Sequence, residues 1–292
     1  MRFLLLLIFA ASCAPIYVPS TRNVPLFRGA GEFQGSAYLT TGVDVQLAYA
    51  LKNHLGVTGN YNLLSQNQQL PQDTTVPNMP ASFQRKNNFG EAGLGYYQST
   101  RSKRFEIYGG YGMGEGTSYS NYYFFADEFG VKGIVATGKY KRFYLQPSIG
   151  TNNKKFNMAF SMRVSAVEFS EFSSDGFTST TVTKNPNEPM HIFLEPSLTG
   201  KFPLAGNLYG VFQLNVNGPV PREVYFEYVP LQFAIGFNLK LEVACVHASI
   251  KPKFCLFDLT MISESQNLYP IAYLPTAYFW IPLPQQTSIH PA

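Results

Sequence analysis

Five ionisable residues set the chemistry open to this chain: Asp44, Glu91, Glu106, Arg163 and Glu195 each stand in a stretch where apolar residues alternate with polar or small ones. Four carboxylates and a guanidinium gathered on one surface have two uses. They can neutralise one another in an enclosed polar network, since a buried charge is tolerated when it is paired and hydrogen-bonded. They can also line a narrow passage and select the ions that cross it. Lys139 and Lys201 fall near the ends of the same stretches.

Signals for catalysis are thin. His191, with Glu188 or Asp175 near it in sequence, could sit at a rim and move a proton, but the chain has neither a G-x-S-x-G elbow nor an H-E-x-x-H motif. Residues 133–139, GIVATGK, match a phosphate-binding loop in spacing alone. Tyr140 follows where a Ser or Thr must hold the metal, and the surroundings read as strand. Three cysteines without C-x-x-C spacing argue against a metal site. No catalytic residue, metal or cofactor is expected.

The elements that must position the five residues are strands. In 104–114, RFEIYGGYGMG, Phe105, Ile107, Tyr111 and Met113 fall on one face, and Glu106, Tyr108, Gly110 and Gly112 on the other. A period of two is a strand with chemically different sides. Ten such stretches follow one another: 32–39, 43–51, 55–63, 89–97, 104–114, 139–150, 156–169, 191–202, 208–217 and 231–241. Most are close to the 9 to 11 residues that cross a bilayer at a tilt.

Composition points the same way. Charged residues make up 14% of the chain, against about 25% in soluble proteins, yet the mean hydropathy is only −0.07. No run after residue 12 approaches the roughly 20 apolar residues of a membrane helix. A membrane barrel combines these properties because only alternate residues meet lipid. The expected fold is therefore all-β, an antiparallel up-and-down transmembrane β-barrel of about ten strands over residues 32–241. A soluble exported barrel is the competing architecture, with the two faces exchanged. The net charge of +4 forms no basic stripe, so nucleic acid is not an expected partner.

Connections alternate in length. Residues 52–54, 98–103, 151–155 and 203–207 make short turns, whereas 65–88, 115–138, 170–190 and 218–230 make long loops. Membrane barrels keep short turns in the periplasm and longer loops outside, so both ends of the barrel are expected in the periplasm. Binding would live in the long loops, where Tyr119, Tyr122, Tyr123, Phe124 and Phe125 form an aromatic cluster suited to an interfacial belt or a contact surface.

The flanks read differently. Residues 1–12 have the basic start, apolar run and small residues of an export signal. Ala10-Ala11-Ser12-Cys13 resembles a lipobox, which would make Cys13 an acylated first mature residue. Residues 13–31 read as an extended tether, with Pro15, Pro19 and Pro25 opposing a helix. Residues 242–292 read as a poorly ordered tail, interrupted by proline.

The stretches CAPIYVPSTRNVPLF, GEFQGSAY, DVQLAYALKNHLGV, GEAGLGYY and RFEIYGGYG resemble the small outer-membrane β-barrel proteins and lipoproteins of Gram-negative bacteria, of the Bacteroidota type. The resemblance implies an outer-membrane location, lipid as a partner, and a non-catalytic role: structural, adhesive or ligand-binding through the loops. A narrow pore for small solutes is the alternative. Ten strands would leave a lumen only slightly wider than the side-chain-filled interior of eight.

Overall fold

The computed structural model describes residues 15–69, 82–120, 134–153, 155–176, 181–183, 190–220, 224, 226, 228–244 and 256–257. Thirteen strands follow in order: β1 (Glu32–Leu39), β2 (Val43–Lys52), β3 (Leu55–Gln69), β4 (Ser82–Ser99), β5 (Lys103–Ser120), β6 (Ile134–Thr151), β7 (Asn157–Gly176), β8 (Thr181–Thr183), β9 (His191–Ala205), β10 (Leu208–Val216), β11 (Gly218–Val220), β12 (Leu231–Ala244) and β13 (Leu256–Phe257). Ten of them close an antiparallel barrel. Each wall strand pairs with its predecessor, β7 pairs with β9, β10 with β12, and β12 returns to β1 from Glu32↔Glu242 to Leu39↔Ile235. β8, β11 and β13 are short additions to β7, β9 and β12.

The two faces divide as the alternation requires. Val43, Val45, Leu47 and Leu51 of β2 are exposed, while Asp44, Gln46, Ala48 and Ala50 are buried. Phe105 and Met113 of β5 likewise face out, and Glu106 and Tyr108 face in. Phe233, Ile235, Phe237 and Leu239 repeat this on β12. The outer surface is an apolar band and the polar groups are inside, which is the reverse of a soluble barrel.

At one end the strands turn tightly. His54 adopts φ 71° in the turn between β2 and β3, and Gly206 φ 53° between β9 and β10, the left-handed conformation that short turns need. At the other end β3 to β7 overshoot the expected boundaries. Beyond the Val43↔Leu63 pair, β3 runs on to Gln69, and β4, β5, β6 and β7 continue alongside it. The barrel therefore has a tall wall, β3 to β7, and a lower one. In β3 the overshooting Ser65, Gln66 and Asn67 are polar and exposed, so no apolar period marks them, whereas the extra lengths of β4 to β7 still bury Arg85, Asn87, Ser118, Ala136 and Phe172.

The stretch expected to be a free tether is instead inside the barrel. Residues 15–25 are extended, as their prolines require, Leu26 turns at φ 53°, and every residue from 15 to 27 is buried. Pro15, Pro19 and Pro25 lack the N–H a ladder needs, and one parallel bridge, Tyr17↔Tyr228, is the segment's strand pairing. The segment crosses the full lumen: Tyr17 lies at the tall-wall end among Tyr140, Phe169 and Phe226, and Gly31 donates to the Ala50 carbonyl near the tight turns. The two ends of the wall, Glu32 and Glu242, pair with each other at the tight-turn end, while Pro15 lies at the tall-wall end. The expected tail begins later than 242, since β12 continues to Ala244; beyond that only Leu256 and Phe257 are described.

Candidate functional site

The lumen is layered along its axis, and the segment through it has matching layers. Ile16 and Tyr17 enter an aromatic layer made by Phe89, Tyr140, Phe169, Phe193 and Phe226. The polar run Ser20-Thr21-Arg22-Asn23 occupies the middle, and Leu26 and Phe27 fill the tight-turn end, Phe27 edge-on to Tyr97 at 5.2 Å.

The middle layer contains three cations and three carboxylates, drawn from the segment and from five strands. Arg22 Nη2 lies 3.2 Å from Glu195 Oε2, both side chains fully buried. Tyr17 donates to Glu195 Oε1 at 2.9 Å and Ser165 to Oε2 at 3.0 Å. Glu91 receives Arg142, Arg163 Nη1 at 3.1 Å and Ser20 Oγ at 2.9 Å. Arg142 also donates to Tyr17 Oη at 3.0 Å, so one tyrosine bridges the two ion clusters. Asp44 accepts the Thr21 N–H at 2.7 Å and an Asn62 amide. Two of the guanidiniums are further covered by an aromatic ring, Arg142 over Phe89 and Arg163 over Tyr144, both at 4.3 Å, a stacking that suits a weakly hydrated planar cation.

Glycine makes this filling possible. A Cβ on Gly110 would stand 2.5 Å from the Tyr144 ring, and one on Gly56 2.8 Å from the Phe27 ring and the Tyr108 hydroxyl. The small residues inside β3 to β5 are where large side chains cross the lumen.

Neither a protein-family model nor a curated protein matches the chain. Among solved structures it is similar to the KdgM porin in complex with disordered oligogalacturonate, at 8% identity and a TM-score of 0.30, over 71% of this chain and 98% of that one. It is similar also to the translocator domain of the autotransporter NalP from Neisseria meningitidis, at 9% identity and a TM-score of 0.36, over 71% of this chain and 86% of that one. The CymD monoaromatic hydrocarbon channel follows at 6% identity and a TM-score of 0.22, over 73% and 88%. Likeness of this degree carries no argument about activity.

Of the five residues singled out in the sequence, Asp44, Glu91, Arg163 and Glu195 meet in the middle layer. Glu106 lies nearer the tight turns, where its Oε2 accepts the Leu26 N–H at 2.8 Å. Arg163 is in register with Glu195 but pairs with Glu91. Lys201, expected near a rim, is buried and donates to the Val24 carbonyl at 2.6 Å. Lys139 does lie at the rim, exposed and 2.9 Å from Glu171. His191 starts β9 with its ring edge-on to Phe226 at 5.2 Å, and residues 134–139 of the phosphate-loop match are strand.

Two cations escaped sequence reasoning. Arg142 shares the parity of Tyr144, Gln146 and Ser148 on β6, so counting back two residues would have placed it inside. Arg22 had no period to reveal it; the available signal was the order apolar, polar, apolar along 16–27. Of the aromatic cluster, Tyr119 lies in β5, while Tyr122, Tyr123, Phe124, Phe125 and Cys13 lie outside the described residues.

Proposed function

We propose that this protein is a non-catalytic outer-membrane β-barrel, held closed by its own N-terminal segment, that works as a membrane-seated scaffold presenting its long-loop end for binding or adhesion. The observation that carries this is residues 15–27 buried through the whole lumen, with Arg22 paired to Glu195. A lumen filled from end to end passes no solute. The outward apolar band supports lipid as the surrounding partner, and the connections at the tall-wall end, within 65–88, 115–138, 170–190 and 218–230, are where a surface ligand would bind.

With the tight turns in the periplasm, as membrane barrels have them, Pro15 faces the cell exterior. An epitope inserted at the 53–54 turn should be reached by antibody only in permeabilised cells. Detection on intact cells would reverse the orientation. Acylation of Cys13 belongs to the same proposal, and radiolabelled palmitate incorporated by the native chain should be lost in Cys13→Ser.

The deciding experiment is single-channel recording of the full chain in a planar bilayer. Insertion without conductance is expected, and reproducible ion-selective steps from the native protein would end the closed-barrel proposal. A narrow pore is the second reading, favoured by one observation: wall side chains hold the segment, so its departure breaks no strand pairing in the wall.

A further inference from the structure

Between Thr21 and Leu26 six successive main-chain carbonyls are each met by a wall side chain. Gln46 donates to the carbonyl of Thr21 at 2.9 Å, Gln213 to Arg22 at 2.7 Å, Gln146 to Asn23 at 2.8 Å, Lys201 to Val24 at 2.6 Å, Gln34 to Pro25 at 2.6 Å and Arg104 to Leu26 at 2.7 Å. Those six residues come from six strands around the barrel. Main-chain donors are met as well: the Thr21 N–H by Asp44, the Leu26 N–H by Glu106, and the Arg22 N–H by Gln213 Oε1 at 2.8 Å. Gln213 thus takes both the N–H and the carbonyl of Arg22, as a neighbouring strand would.

Packing a barrel interior does not demand this. Apolar side chains would fill the space, whereas a side chain aimed at each peptide group recognises an extended main chain whatever its sequence. Side chains of the segment are met as well: Arg22 Nη2 reaches Glu195 and Asn217, Tyr17 donates to Glu195, and Ser20 donates to Glu91. We propose that the lumen is a binding channel for an extended polypeptide, reading peptide groups along its length and one arginine at its middle. Residues 15–27 are its resident occupant, and a peptide supplied in trans takes the same place. The inference stands on the lumen and not on the role of the loops, so either can fail alone.

The connection to β1 allows a direct test. A Cβ on Gly29 would have open space around it, and Gly31 turns at φ 82°, so a protease recognition sequence inserted after Gly29 leaves the lumen untouched. The full chain carrying that insertion is folded, cut, and refolded in detergent with an excess of fluorescent synthetic peptide of residues 15–29. Retention of one label per heat-modifiable barrel is expected. A peptide with Arg22→Ala should compete about a hundredfold less well, the loss expected for a fully desolvated ion pair. A peptide keeping Tyr17, Ser20, Arg22, Phe27 and the three prolines, with the other side chains permuted, should still be retained. The proposal is overturned if the cut chain forms a barrel that retains no labelled peptide, or forms none. Equal competition by the Arg22→Ala peptide would remove the arginine from it.

Discussion

Two nearby stretches, 15–27 and 32–39, both run along the barrel, the first extended up to Pro25, yet they are held by opposite means. Strand β1 is bonded on both edges through its main chain, to β2 and to β12. The segment before it has almost no ladder pairing and is satisfied by side chains reaching from the wall. Three prolines explain the difference, since each removes a donor that a sheet would require. The lesson is that proline excludes a chain from a sheet without excluding it from the interior, provided the surroundings supply donors one carbonyl at a time.

Four substitutions test that contrast, each followed by thermal melting and heat-modifiable migration in detergent. Glu91→Gln should be the most severe, because Arg142 and Arg163 would share no carboxylate; removing one partner of a buried pair costs about 3 to 5 kcal/mol. A stability within error of the native protein would mean that the middle layer is solvated. Ala37→Pro comes next. It orphans a ladder carbonyl at about 1 to 3 kcal/mol and adds a ring clash between β2 and β12, so a smaller heat-resistant fraction is expected. Gln213→Ala deletes two bonds to the segment, each worth about 1 kcal/mol, and should loosen residues 15–27 to added protease while the wall still migrates as a folded barrel. Val24→Pro should be the mildest, under about 1 kcal/mol, since its neighbourhood is already proline-shaped. A cost for Val24→Pro equal to that of Ala37→Pro would erase the distinction between segment and strand.

The wall was legible in the sequence because its physics is periodic. Val43 to Leu51 alternates so regularly that both the strand and its inward residues follow from parity, and the same counting places Glu106 and Glu195 inside. Parity fails where both faces meet water, as in Ser65, Gln66 and Asn67, which left β3 too short. It says nothing of residues 15–27, whose burial depends on Gln213, 191 positions from Arg22, and Glu195, 178 positions from Tyr17. A proline-rich extended stretch has one sequence pattern whether its carbonyls bond water or a ring of glutamines. Arg163 was placed in a network with glutamates, but its choice of Glu91 over the register partner Glu195 is set by Arg22, which no strand pattern contains.

The seam between β1 and β12 has a kinetic consequence. It joins residues about 200 positions apart, and contacts of such separation form late because the intervening chain must first be ordered. The segment that fills the lumen is made before β1, and the strand that seals the wall is made last. With its two ends at opposite mouths of the lumen, the segment is surrounded as the seam zips and has no need to thread a finished ring. Assembly then resembles wrapping more than insertion, and a chain whose segment is missing at the moment of closure must hold its paired arginines and glutamates together around an empty axis.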